Sequence, residues 1–142
     1  FKMILKFFDK GKENKENDYS YLIDIACLMI HAAKIDENYT NQEKEIIKKT
    51  LNKLNKSEQD INTIFLLAEK KETDSNHIQE FTKSIKKMST EDKKEIIENI
   101  WSIILSDGKS DIYEENLMRR LAGLLYIDAK SMGDIKNKIK SS

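Results

Sequence analysis

The residues best suited to chemistry in this sequence are five acids in two short stretches: Asp36, Glu43, Asp107, Asp111 and Glu114. In each stretch an aspartate is followed, at the same spacing, by a glutamate. Calcium and magnesium are bound in proteins by several carboxylate oxygens, often in a loop or at the start of a helix. We therefore predict that these five residues bind a divalent cation, calcium or magnesium.

The same acids also have an ordinary structural explanation. Thr40 with Glu43, and Asp111 with Glu114, have the spacing of helix-capping pairs, in which the two side chains satisfy backbone N–H groups at a helix start. An acid in the first turn of a helix is favoured by the helix dipole without any metal. The spacing alone leaves ion binding and capping as alternatives.

Cys27 and His31 are one helical turn apart, so they would share one face of a helix. That spacing could supply two zinc ligands, or it could let the histidine activate a thiolate. The surrounding segment is the most apolar in the chain, which favours a buried cysteine beside a hydrogen-bonded histidine. A zinc site would also need further ligands, and the sequence has no second cysteine.

Motifs of known catalytic sites are absent from the sequence. There is no glycine-rich phosphate loop, no nucleophile elbow and no dinucleotide-binding fingerprint. An EF-hand is excluded as well, because position 12 of the two acidic loops is Ile47 or Met118 where a bidentate carboxylate is needed. We predict that the chain is not an enzyme.

Composition and hydrophobic periodicity predict an all-α protein. The 142 residues include no proline and only four glycines, the two residue types that are least favoured in helix interiors. Apolar residues recur at helical spacing in about seven segments, including one predicted helix from Ser75 to Met88. We predict a single helical bundle over residues 18–142, with a buried central helix from Tyr19 to Lys34 and with Trp101 in the core.

Charge and length exclude two further classes of protein. The 25 acidic residues balance the 25 basic ones, whereas a nucleic-acid binder usually carries a basic excess. No apolar run reaches the ~20 residues that a membrane-spanning helix needs. A single cysteine is typical of a reducing compartment, so we expect a cytoplasmic protein. From the charge balance we expect no nucleic-acid partner.

Residues 1–17 are predicted to form a separate N-terminal segment. Its first part is amphipathic, with Phe1, Ile4 and Phe8 on one face and lysines on the other, and its second part is a polar linker. Such a segment could contact the inner face of a membrane through residues 1–8, from Phe1 to Phe8. It could equally pack against a protein partner or a second copy of the chain.

The two acidic stretches belong to an internal repeat. Shifting the sequence so that Asp36 falls on Asp107 also places Glu43 on Glu114, and apolar residues before and after each loop match too. The repeat predicts two pseudo-symmetric halves, each made of a helix, an acidic loop and a capped helix.

The acidic stretches also carry a family resemblance. Residues 30–37, Ile-His-Ala-Ala-Lys-Ile-Asp-Glu, resemble the Ala-x-Ala-Asp-Gly-Glu signature of TerB-like (tellurite-resistance protein B-like) proteins. Residues 104–111 resemble its second copy, and Glu114 follows as is usual there. The resemblance covers roughly residues 19–134. It implies an all-helical, non-enzymatic domain, linked to tellurite resistance and stress, whose acids bind a divalent metal.

Three positions depart from that signature. Glu37 replaces the glycine of the first loop, Thr40 stands where an acid is common, and Lys109 replaces the glutamate of the second loop. Each change removes charge or flexibility from a metal site. The second loop keeps Asp107 and Gly108, so it is the better candidate for an ion.

These observations lead to one preferred function and one alternative. We expect residues 18–142 to be a TerB-like, stress-associated domain that binds a divalent cation or a partner through its acidic loops. The alternative is a helical protein–protein interaction module without metal, held at the membrane surface by its N-terminal segment. An enzyme that uses Cys27 to reduce an oxyanion is a third hypothesis.

Overall fold

A computed structural model describes residues 20–35, 39–54, 60–107 and 112–141. Within these ranges the protein has seven α-helices and no strand, which confirms the all-α prediction. The helices are α1 (20–34), α2 (Asn41–Leu54), α3 (Ile61–Asp74), α4 (Gln79–Thr82), α5 (Thr90–Ile104), α6 (Ile112–Leu125) and α7 (Ala129–Lys140). Two 3-10 turns, Ile85–Lys87 and Leu105–Asp107, precede and follow α5.

α1 is the central helix of the bundle. Every residue from 24 to 30 is at most 5% exposed, so no face of this stretch is turned toward solvent. A helix that is apolar on nearly all sides must lie in the interior of a protein. Helix α3 makes hydrogen bonds to α1. Among the other helices, α5 packs against α7 and α2, and α2 packs against α3.

Asp24 is the polar exception within the buried part of α1. Its Oδ1 atom accepts a hydrogen bond from Lys71 Nζ of α3 at 2.6 Å, and its Oδ2 atom accepts one from Ser84 Oγ at 2.6 Å. A buried carboxylate without such partners is costly. Asp24 therefore links α1 to α3 and to the turn that follows α4.

The segment between α3 and α5 is less regular than its apolar spacing predicts. Instead of one helix from Ser75 to Met88, the chain forms the short α4 and a separate 3-10 turn. Ser84 lies between these two elements, where its hydroxyl reaches Asp24. The prediction of a single helix is therefore wrong, and the contact with α1 that accompanies the break is not visible in the local pattern.

Side chains cap the starts of several helices. Ser89 accepts a hydrogen bond from the backbone N–H of Asp92 at the start of α5, and Asp128 accepts one from Ser131 at the start of α7. At α3 the capping residue is Asp60, which accepts from the backbone N–H of Asn62. Local sequence therefore sets these helix boundaries.

None of the helices within the described ranges is both long enough and apolar enough to cross a membrane. The predicted amphipathic segment at residues 1–17 lies outside the described residues. Its membrane or protein contact, and the division of the chain at residue 18, stay predictions.

Replacing Asp24 by Ala should lower the free energy of unfolding by about 1–3 kcal/mol, because Ser84 loses its acceptor and Lys71 its ion pair in a buried setting. Lys71 is partly exposed, so water can solvate its ammonium group and the loss stays below that of a fully buried pair. Urea unfolding followed by circular dichroism measures the change.

Asp134→Ala, at an exposed site in α7, is the control and should change the free energy of unfolding by less than about 0.5 kcal/mol. Equal effects of the two changes would contradict the role of Asp24.

Candidate functional site

The first acidic stretch ends in a complete capping box at the start of α2. Glu43 Oε1 accepts hydrogen bonds from the backbone N–H and the hydroxyl of Thr40, both at 3.1 Å. In return, the backbone N–H of Glu43 donates to Thr40 Oγ1 at 3.1 Å. Glu43 is 8% exposed, so this carboxylate has an identified structural task. The predicted capping box is confirmed.

The second acidic stretch places a carboxylate at the corresponding point of α6. Glu114 lies in the first turn of that helix and is only 4% exposed. Asp107 is the last residue of the 3-10 turn that follows α5, so the backbone passes almost directly from α5 into the loop. Both glutamates of the predicted repeat are therefore buried at a helix start.

The remaining predicted ligands fall outside what the structure describes. Asp36 and Asp111 lie between the described ranges, and at Asp107 only the backbone is described. In the described part of the chain, no group of three or more His, Cys, Asp or Glu side chains could hold a metal ion. The five-residue cation site and the pseudo-symmetry of the two halves stay predictions.

Cys27 and His31 contact different residues of α3. The Cys27 thiol donates a hydrogen bond to the Ala68 carbonyl oxygen at 3.4 Å, whereas His31 Nδ1 lies 3.3 Å from a carboxylate oxygen of Glu72. Burial raises the pKa of the Cys27 thiol from 9.0 to about 12, against a smaller lowering by Lys71. The thiol is therefore protonated at neutral pH, which disfavours it as a nucleophile.

A group of polar contacts after the first loop was not predicted from the sequence. The Tyr39 hydroxyl donates to Glu69 Oε2 at 3.3 Å, and Lys44 Nζ lies 4.9 Å from the centre of the Tyr39 ring. Burial, followed by the negative charge of Glu69, raises the pKa of Tyr39 above its usual value. Nearby, Lys34 Nζ donates to Glu72 at 2.6 Å. These contacts hold the chain that leaves the first loop against α3, and only the fold brings them together.

Two large apolar side chains are exposed at the start of α6. Ile112 is 67% exposed and Tyr113 is 69% exposed, and both directly follow the second acidic loop. Scattered exposed apolar residues are ordinary. Here they are neighbours beside a candidate site, so a bound partner at this loop would contact them.

Comparison with known proteins identifies one family. The family described as "Tellurite resistance protein TerB" matches residues 22–137, from α1 to α7. The match includes both acidic stretches. Neither the curated proteins nor the solved structures that were searched include a match to this chain.

The capping box makes a prediction that needs no metal. Thr40→Ala should lower the free energy of unfolding by about 0.5–2 kcal/mol, because the N-cap hydroxyl that satisfies the start of α2 is lost. Thr50→Ala in the same helix is the matched control, since the Thr50 hydroxyl only donates to the Ile46 carbonyl within the helix. Because alanine is the better helix former, this control should be nearly neutral. A chemical denaturation series measures both, and equal losses would show that Thr40 is not the cap.

Proposed function

The chain belongs to the TerB family of tellurite resistance proteins, and on that basis we propose that it is a non-enzymatic domain whose second acidic loop binds calcium or magnesium. The observation that carries this proposal is the buried carboxylate of Glu114 in the first turn of α6. Asp107, at the end of the preceding turn, would bring a second carboxylate to the same loop.

The chemistry of the second loop suits a hard cation. Asp107, Asp111 and Glu114 would supply carboxylate oxygens, which calcium and magnesium prefer, and a glycine such as Gly108 adopts tight-turn conformations at little steric cost. The positive end of the α6 dipole opposes a cation, so more than one carboxylate is needed to overcome it. The three acids, one in this loop and one on either side of it, would meet that need.

The first loop is proposed to serve as a helix cap and not as an ion site. Glu43 Oε1 already accepts two hydrogen bonds from Thr40. Thr40 itself stands where a further carboxylate would be needed, and it offers only a hydroxyl. One sequence pattern would thus have two uses in the two halves of the chain.

The non-enzymatic part of the proposal rests on the chemistry of Cys27. An enzyme that reduces an oxyanion through this thiol would need an accessible thiolate. Cys27 is fully buried and its pKa is raised to about 12. That environment supports a packing role for the cysteine.

A metal-free interaction module is the second candidate, favoured by the exposed Ile112 and Tyr113 beside the second loop. A partner protein could cover these side chains and use the acids of the loop for polar contacts. The membrane tether through residues 1–8 is part of this candidate and would act independently of the loop. The tellurite-related role in the family's description, and the stress-related role that the resemblance implies, are compatible with either candidate.

The two candidates differ in their response to cations. A ligand that binds only the folded protein stabilises it by about 2.7 kcal/mol at a hundredfold excess over its Kd. Millimolar calcium or magnesium should therefore raise the Tm of the full chain. Asp107→Asn should remove this rise, and Asp36→Asn in the first loop, the matched control, should keep it. Asp111→Ala should cost about 0.5–2 kcal/mol even without a cation, because it removes the predicted cap of α6.

A Tm that does not change with calcium, magnesium, manganese or zinc would overturn the cation proposal. The acids would then be caps and partner surface, and the interaction module would become the preferred function. A rise that Asp36→Asn and Asp107→Asn remove equally would show that the ion is not confined to the second loop.

A further inference from the structure

An open cleft lies between α5, α6 and α7. It is distinct from the acidic stretches, because neither Glu43 nor Glu114 lines it. Its volume is about 420 Å³, within the range of sites that hold small organic molecules. Trp101 of α5, Met118 of α6 and Met132 of α7 contribute to its largely apolar lining. Methionine and tryptophan give an apolar ligand large, adaptable contact surfaces.

The charged side chains in the lining leave one positive charge uncompensated. Lys136 donates to the carboxylate of Glu115, and its ammonium group lies 5.2 Å from the centre of the Trp101 ring. Arg119 also lines the cleft, is exposed, and makes no ion pair with any residue in the described ranges. The cleft therefore favours an anion over a cation.

Trp101 leaves a hydrogen-bond donor unused. Its indole nitrogen is buried and has no hydrogen-bond partner among the residues that the structure describes. A buried N–H without an acceptor costs about 1–3 kcal/mol. Because this nitrogen is buried, a ligand in the cleft would meet the ring of Trp101 and not its N–H group.

Gly133 helps to keep the cleft open. It lies within α7 and lines the cleft, and a Cβ atom built at this position would meet no other atom within 4 Å. Neither close packing nor unusual backbone geometry requires a glycine here, although glycine weakens a helix by about 1 kcal/mol relative to alanine. The space beside Gly133 is therefore available to a ligand.

We propose that this cleft binds a small amphiphile with an apolar body and a single carboxylate, such as a medium-chain fatty acid. The apolar body lies against Trp101 and the methionines, and the carboxylate pairs with Arg119, whose planar guanidinium suits that group. The proposal is independent of the cation site, because the two sites use different residues of α6.

Decanoate, kept below its micellar concentration and in calcium-free buffer, is the probe for this site. Trp101 is the only tryptophan, so its fluorescence reports on the cleft, and calorimetry gives the stoichiometry. We expect saturable binding of one decanoate per chain and weaker binding of decyltrimethylammonium. Absence of saturation, several equivalents per chain, or a preference for the cationic amphiphile would overturn the proposal.

Two pairs of matched variants locate the binding. Arg119→Gln should weaken decanoate binding about tenfold, as expected when a charged hydrogen-bond partner is lost. Arg120→Gln, at the adjacent exposed arginine that does not line the cleft, should leave binding unchanged. Equal weakening by the two changes would show that only net charge matters, and would overturn the proposal.

The second pair tests the space beside Gly133. Gly133→Leu should fill the cleft and abolish decanoate binding, whereas Gly123→Leu, at an equally open position on α6, should not. Gly133→Ala is the variant that checks folding. It should raise the Tm, because alanine is the better helix former, and it should weaken decanoate binding only slightly. If Gly133→Leu stays folded and binds decanoate like the parent, the ligand is elsewhere and the proposal fails. If Gly133→Leu does not fold, the arginine pair decides.

Discussion

The burial of α1 on every side is the constraint on which the rest of the structure depends. Residues 24–30 are almost inaccessible to solvent, and each large aliphatic side chain buried in this way contributes about 1.5–3 kcal/mol. Helix α3 meets α1 at several points, with Ala68 accepting from Cys27 and Lys71 donating to Asp24. Since α1 leads directly into the first acidic stretch, the same packing sets where that loop begins.

Under our proposal, the two acidic loops use one sequence pattern for two purposes. In the first loop, the carboxylate of Glu43 is engaged by Thr40, and Tyr39 is held against Glu69 of α3. Hydrogen bonds within the chain thus hold Tyr39 and Thr40, which follow that loop, and under our proposal the loop does not need an ion. In the second loop an aspartate, Asp111, stands at the position of Thr40, so carboxylates accumulate there. Concentrated negative charge is tolerated best when a cation compensates it, which is the physical reason for our proposal.

Local sequence signals predicted the features that depend on neighbouring residues, and they missed those that depend on distant ones. The central position of α1, the burial of Trp101 and the cap at Thr40 follow from periodicity and capping chemistry, and the structure confirms them. Helical periodicity did not predict the break after α4. At this break Ser84 donates a hydrogen bond to Asp24, which is distant in the sequence, so local patterns carry no sign of the contact. The cleft beside Trp101 could not be predicted either, because three helices must first be packed to form it.

Paramagnetic broadening by manganese tests the central claim, an ion at the second loop, most directly. Mn²⁺ substitutes for magnesium and calcium at oxygen-rich sites, and it broadens the amide resonances of nearby residues in an ¹H–¹⁵N spectrum. At substoichiometric Mn²⁺ we predict that the resonances of residues 107–115 are lost first, while those of residues 40–43 persist, and that excess magnesium restores them. Broadening centred on residues 36–43, or spread evenly over the acidic surface, would contradict the account.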